Sequence, residues 1–319
     1  VDRQEEVRMR LATIRIDERF ESAAILPDGG ALRLEAAARL AGMPTETFAS
    51  VQAIIEGGEN TLASAKRLVA SAGSMAAAVV AARAVILAAP LPRPTKNVFC
   101  VGRNYAEHIA EGERAQNIKV GITEHPVFFT KPSTSVVGPG SVVPLFTHVS
   151  TQIDYEVELA VIVGKPGRDI PREKAFEHVY GYSIINDVTA RDVQRRHGGQ
   201  YFKGKGLDGS CPMGPWIVTA DAMPDPTKLA IRLKVNGNLR QDGNTAAMIF
   251  DIPTLIASLS EGLTLEPGDV IATGTPSGVG YAMVPPQFLK HGDVVECEVE
   301  GIGTLANSFA TAAAASNAA

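Results

Sequence analysis

I-D-Y-E-V-E-L-A-V-I-V-G, running from Ile153 to Gly164, is the stretch from which the rest of the chain can be read. Its density of β-branched and apolar residues, and the Gly-Lys-Pro turn that follows, predict a β-strand. Side chains alternate across a strand, so Asp154, Glu156 and Glu158 share one face while Tyr155, Val157 and Leu159 take the other. Beyond Leu159 both faces are apolar, so the strand runs into a core and carries its acidic end with it. Closely spaced carboxylates withdrawn from water repel one another unless a counter-charge is present. Oxygen ligands of this kind suit a hard divalent cation, Mg²⁺, Mn²⁺ or Ca²⁺. The competing reading is an edge strand with a solvated acidic face, the commoner outcome for an isolated D-x-E-x-E.

Composition narrows the class. The chain has 319 residues, 45% of them hydrophobic and 20% charged, with formal net charge −5. That length supports a large core and two domains. The mildly acidic balance argues against nucleic-acid or anionic-membrane binding. No apolar run reaches the roughly 18 residues of a membrane span. The amino-terminal V-D-R-Q-E-E-V-R lacks the apolar centre of a secretory signal. Cys100, Cys211 and Cys297 are far apart and form no C-x-x-C pair, so they read as buried, reduced thiols of a cytoplasmic protein.

Working outward, residues 1–90 read as a small α+β domain. Val7–Ile16 is a strand, Ser22–Ala31 a hairpin about Pro-Asp-Gly-Gly, and Leu32–Ala41, Thr45–Ile55 and Asn60–Ala72 are amphipathic helices. Thr45 is the expected N-cap of the second helix, and Ser74–Leu87 reads as a further, alanine-rich helix. Ala89-Pro-Leu-Pro-Arg-Pro is a stiff linker that no helix continues through, and the domain boundary is placed there.

From 91 to 309 the texture changes to short strands and Gly/Pro turns. Strands are expected at Lys96–Val101, Val127–Thr130, Ser141–Pro144, Tyr180–Asp187, Asp269–Thr273 and Val294–Val299. Leu229–Val235 and Leu239–Gly243 form a hairpin across Asn236-Gly237, a type I′ signal. Helical turns are expected at Val188–Arg196 and Ile252–Leu259, and residues 310–319 read as a frayed tail. The fold class is therefore α+β and strand-rich, a rolled and mostly antiparallel sheet rather than a βαβ repeat. At the exit of the Tyr180 strand, Asp187 joins Glu156 and Glu158 as a third acid for an open metal site, or else caps the helix after it.

The ordered blocks V-G-R-N-Y-A-E-H-I-A-E, F-F-T-K-P-S, D-Y-E-V-E-L, I-N-D-V-T-A-R-D-V-Q, G-K-G-L-D-G-S-C-P-M-G-P-W, V-N-G-N-L-R-Q and G-D-V-I-A-T-G-T-P-S-G-V-G resemble the fumarylacetoacetate hydrolase family from about Asn97 to Phe309. The resemblance implies a mixed β-roll catalytic domain, usually homodimeric, with Mg²⁺ or Mn²⁺ held at Glu156, Glu158 and Asp187. It also implies that His108 and Glu111 activate water. Three apart, they share the face of a short helix, where a carboxylate fixes the imidazole tautomer and raises its basicity.

Family position favours Lys205 over Lys203 as the ammonium that stabilises an oxyanion. Thr275 lies in a tight turn whose N–H groups and hydroxyl suit a substrate carboxylate. Arg191, Gln194 and Lys131 are candidates for contacting the substrate or supporting the residues that do. His125, His148, His178, His197 and His291 show no partner pattern.

The expected activity is metal-dependent hydrolysis of a C–C bond in a small-molecule 2,4-dioxo acid or acylpyruvate, releasing pyruvate or a related 2-oxo acid and a carboxylic acid. Lyase, decarboxylase and isomerase chemistry at the same site, as in ureidoglycolate lyases and oxaloacetate decarboxylases, stays open. So does a metal-binding protein without turnover. The stretch R-R-H-G-G-Q-Y-F-K-G-K-G-L-D-G is expected to line the pocket and set substrate choice.

Overall fold

Strands dominate the computed structural model, which describes residues 9–223 and 225–312. The first part supplies β1 (Arg10–Ile16), β2 (Arg19–Ile25), β3 (Ala31–Arg33), α1 (Leu34–Leu40), α2 (Val51–Glu56), α3 (Gly58–Ala70) and β4 (Val79–Val80). Val7 and Arg8, where the sequence places the start of the first strand, lie outside the described residues, as do the rest of the amino-terminal octapeptide and residues 313–319 of the tail.

Two local expectations are corrected. Thr45 makes no side-chain cap; a 3₁₀ turn occupies Glu46–Phe48, and Ser50 caps α2 by accepting the Ala53 N–H at 3.0 Å. The alanine-rich stretch 74–87 is not one helix but a series of 3₁₀ turns around β4. Val79 and Val80 pair with Leu32 and Ala31 at the sheet edge, and the Arg15 N–H reaches the Ile86 carbonyl at 2.8 Å. Alanine favours helix by only tenths of a kcal/mol over other residues, so β-branched neighbours and a free sheet edge override it.

After the proline-rich linker come β5 (Val98–Gly102), α4 (Ala106–Gln116), β6 (Val127–Lys131), β7 (Val136–Val137), β8 (Val142–Leu145), β9 (Ile153–Asp154) and β10 (Val157–Val163). They are followed by β11 (Val179–Asn186), β12 (Thr189–Ala190), α5 (Arg191–Arg196), α6 (Phe202–Lys205) and β13 (Cys211–Thr219). The last group is β14 (Ala230–Val235), β15 (Asn238–Asn244), α7 (Ile252–Ser260), β16 (Val270–Ala272), β17 (Val294–Val299) and β18 (Gly303–Thr311). Asn236 and Gly237 both take positive φ, 51° and 76°, as a type I′ turn requires. Ala310 and Thr311, placed in the tail by sequence, pair with β8.

The large sheet runs β4-β3-β2-β1-β13-β11-β10-β16-β5-β6, and β7 pairs β13. A five-stranded sheet runs β15-β14-β17-β18-β8, and β12 pairs β9. Pairs β7/β13, β5/β16 and β8/β18 are parallel and the other strand pairs antiparallel, which gives the strand-rich mixed α+β fold without a closed barrel. The amino-terminal strands extend the same sheet, since Leu11 of β1 lies opposite Ile217 of β13.

β10 is buried on both faces, as its apolar run implies. Val157, Leu159, Val161 and Val163 pack in a core with the five-stranded sheet and α7. Ala160 and Ile162 pack in a second core with Leu34, Ile54, Ile55 and Leu68 from the amino-terminal helices. Glu156 and Glu158 precede that second face. No helix among the described residues is long and apolar enough to cross a membrane.

Candidate active site

Tyr155 and Glu156 interrupt the chain between β9 and β10, so this part of the acidic stretch lies outside the ladders that pair Asp154 and Glu158. Side chains and the neighbouring strand's exit replace the ladder. The Asn186 side chain accepts the Glu156 N–H at 3.0 Å, the Gln241 side chain accepts the Val157 N–H at 3.0 Å, and the Asp187 N–H reaches the Glu156 carbonyl at 2.8 Å. These bonds draw the end of β11 against the start of β10. One oxygen each from Glu156, Glu158 and Asp187 then lies within 4.8 Å of the others, all buried. Asp187 caps no helix, because β12 intervenes and α5 begins at Arg191.

Three cations surround the acids. Lys205 Nζ contacts Glu156 at 2.8 Å and Asp187 at 2.6 Å. Lys131 Nζ contacts the other Asp187 oxygen at 2.7 Å and also donates to the Lys205 carbonyl. Arg191 donates through Nε to Asp154 at 2.9 Å, and its Nη2 lies 2.7 Å from Glu156 in a charge contact that is not aligned as a hydrogen bond. Burial alone would raise the Glu156 carboxyl, but Lys205 and Arg191 hold it down to about 2. Glu158 is pushed the other way: burial and the nearby Asp187 and Glu156 charges hold it well above the usual carboxylate range. Burial opposes the Lys205 charge, yet Asp187 and Glu156 keep its ammonium protonated.

The five buried carboxylates of Glu111, Asp154, Glu156, Glu158 and Asp187 meet the three buried cations Lys131, Arg191 and Lys205. With Glu158 deprotonated, as cation binding requires, the difference is two charges, which one divalent cation supplies, and an all-oxygen donor set is what Mg²⁺ or Mn²⁺ takes. The residues therefore fit such an ion.

The Thr273–Gly280 loop closes the site from the side. Gly274 N–H donates to Glu158 at 2.8 Å, Gly278 N–H to Glu111 at 2.8 Å, and Gly280 N–H to Asp154 at 2.8 Å. Gly274 and Gly278 take φ of 98° and 108°, and a Cβ on Gly278 would stand 2.0 Å from the Arg240 carbonyl oxygen. Glycine is required there. The loop read from sequence as a cradle for a substrate carboxylate thus uses these N–H groups on the protein's own acids. The Thr275 hydroxyl gives its proton to the Val157 carbonyl at 2.9 Å and accepts from Gln241 at 2.8 Å.

Across the cavity, α4 carries His108 and Glu111 on one face, as their spacing requires. His108 Nδ1 is 2.8 Å from Glu111 Oε1, and Gly278 fixes the other Glu111 oxygen. A proton held on Nδ1 by the carboxylate leaves Nε2 as the basic nitrogen. His108, Glu156, Glu158, Arg191, Gln194, Lys205 and Thr275 border one cavity of about 280 Å³. Lys203 is exposed on α6, and Lys131 is fully buried behind Asp187 without bordering the cavity.

Two residues of the site, Tyr281 and Gln241, carry no signal in the sequence. Tyr281 places its ring 4.4 Å from the Arg191 guanidinium carbon, and its hydroxyl packs against Gly112 of α4. Asp154 serves as the anchor of Arg191 and of the loop, not as a third acid of the Glu156, Glu158 and Asp187 cluster. Gln241 reaches the site from β15.

Residues 97–310 match the family described as fumarylacetoacetate (FAA) hydrolase, C-terminal. The chain is 49% identical over 225 residues to the oxaloacetate tautomerase YisK of Bacillus subtilis, covering 70% of this chain and 73% of that protein. It is 45% identical over 254 residues to the mitochondrial oxaloacetate tautomerase FAHD2A of Homo sapiens, covering 79% of this chain and 77% of that protein. Among solved structures, the fumarylacetoacetate hydrolase of Exiguobacterium antarcticum is similar with a TM-score of 0.78 and 40% identity, over 95% of this chain and 100% of that one. The maleylpyruvate hydrolase of Sphingobium, solved with manganese(II) and pyruvate, gives a TM-score of 0.74 and 30% identity, over 96% of this chain and 100% of that one. With its catalytic sheet, acidic cluster and matched residues all in agreement, the chain belongs to the fumarylacetoacetate hydrolase family.

Proposed function

We propose that this chain interconverts the keto and enol forms of oxaloacetate or a close 2-oxo dicarboxylate, with Mg²⁺ or Mn²⁺ held by Glu156, Glu158 and Asp187. The observation that carries the reading is that His108, held by Glu111, borders the same small cavity as Glu156 and Glu158 of the acidic cluster. A bound divalent cation supplies Lewis-acid stabilisation of negative charge on a 2-oxo oxygen. His108, with its Nδ1 proton held by Glu111, offers Nε2 to take the proton from the carbon beside the carbonyl and to return it. Lys205, kept protonated by Glu156 and Asp187, places positive charge beside the developing enolate oxygen. The Tyr281 ring holds the Arg191 guanidinium flank of the cavity in place. Relatives named as oxaloacetate tautomerases, at 45–49% identity, support isomerisation over bond cleavage.

Hydrolysis of a 2,4-dioxo acid is the second reading. It draws on the same dyad, which could activate water, and on the similar structure of a maleylpyruvate hydrolase. The two separate cleanly in D₂O with Mg²⁺, where proton NMR follows oxaloacetate and an acylpyruvate in parallel. Deuterium entering C3 of oxaloacetate faster than in the buffer blank, without added pyruvate, supports tautomerisation. Pyruvate released from the acylpyruvate with no catalysed exchange in oxaloacetate would replace it with hydrolysis.

A further inference from the structure

We propose that Arg103 and Arg195 form a second anion-binding end of the cavity, which selects 2-oxo acids bearing a further carboxylate. The inference deepens the reading above and rests on it for the 2-oxo end. Four cationic side chains border the cavity besides His108, namely Arg103, Arg191, Arg195 and Lys205. Two of them are already matched, since Arg191 contacts Asp154 and Glu156, and Lys205 contacts Glu156 and Asp187. Neither Arg103 nor Arg195 has a carboxylate within ion-pair distance among the described residues. Glu113 also borders the cavity, but its Oε1 accepts the Val120 and Gly121 N–H groups at 2.7 Å each and holds the rim after α4.

Arg103 is partly buried and Arg195 is exposed on α5, and a different local feature accompanies each. Arg103 leaves β5 with φ of 60°, a left-handed conformation that a residue with a long side chain rarely adopts. The next residue, Asn104, is fully buried, donates to the Phe250 and Thr273 carbonyls at 3.0 and 2.8 Å, and accepts the Phe250 N–H at 2.8 Å, so the chain just after Arg103 is held. A strained residue locked so firmly is a mark of function when it faces a cavity. Arg195, one turn after Arg191 on α5, lies with its guanidinium carbon 5.5 Å from the centre of the Tyr281 ring that also meets Arg191. Planar guanidiniums without partners match a carboxylate with paired, charge-assisted hydrogen bonds.

Oxaloacetate and 2-oxobutyrate test this directly, because they differ only in a distal carboxylate replaced by a methyl group. Their affinities for the Mg²⁺-loaded full chain are measured by isothermal titration, and the readout is the ratio between them. The wild-type ratio is expected to favour oxaloacetate by at least about tenfold, a difference of about 1.4 kcal/mol. R103Q and R195Q each reduce that ratio several-fold, the double variant brings it close to one, and R195K retains part of it. A wild-type ratio near one, or variants that keep the wild-type ratio, overturns the inference. A variant that weakens both ligands equally keeps the ratio and counts against it. The ratio without C3 exchange would leave the arginine site standing and remove the tautomerase reading; exchange with a ratio insensitive to both arginines would do the reverse.

Discussion

Glu158 carries the clearest consequence at the scale of the residue. Its ordinary value is 4.5, and burial beside Asp187 and Glu156 raises it well above that in the folded, cation-free chain. A raised folded value contributes stability below 4.5 that is lost as pH rises through the folded value. The EDTA-treated protein should therefore lose Tm as pH rises above 4.5, and Mg²⁺ should flatten that loss. Cation binding should also expel a proton, read by titration calorimetry in buffers of different ionisation enthalpy. Glu158→Gln is expected to abolish cation binding and activity together. His108→Ala is expected to keep cation affinity while turnover falls by about 10²–10⁴, the usual contribution of a general base. Retained turnover in that variant would remove the dyad from the chemistry. Glu156 and Glu158 were legible because E-x-E sets its side chains on one strand face, and Asp187 because it ends the strand read from Tyr180. The residues that hold them were not: Gly280 reaches Asp154 across 126 positions and Gln241 reaches Val157 across 84, distances over which no local pattern operates.

Elements whose shape is set by their own residues could be read, and those set by neighbours could not. The Asn236-Gly237 turn needs two positive φ values and has the residues that supply them. The 74–87 stretch has residues that favour helix weakly and a sheet edge that favours pairing more strongly. Helix α7 belongs to the first kind. Asp251 caps it, accepting the Thr254 N–H at 2.9 Å and the Thr254 hydroxyl at 2.6 Å, with Arg172 alongside. Burial would raise this carboxyl, but Thr254 and Arg172 lower it below its ordinary 3.8. Its contribution is thus present above 3.8 and lost as pH falls through the folded value. Asp251→Ala should cost about 1 kcal/mol at neutral pH by urea denaturation. The difference from wild type should shrink in acid.

On the scale of the whole molecule, the mostly antiparallel roll followed from turn density, whereas the strand order did not. Nothing in residues 10 to 16 announces that β1 will lie against β13. That pairing, with the helix core packed under Ala160 and Ile162, ties the amino-terminal layer to the strand that carries the acids. Ile54→Ala, far from the cavity, should cost about 2–5 kcal/mol as a buried truncation. Scanning calorimetry should show the entire endotherm moving as one; a separate low transition would mean that the amino-terminal layer melts by itself. The Thr273–Gly280 loop, finally, sets terms for anyone who would redesign this protein. Because one backbone segment holds Glu158, Glu111 and Asp154 through three N–H groups, a library that randomised it would scramble the proposed base, the acidic cluster and the arginine anchor in a single stroke. Diversity placed instead at Arg103 and between residues 194 and 201 would retune what enters while leaving the reacting groups in register.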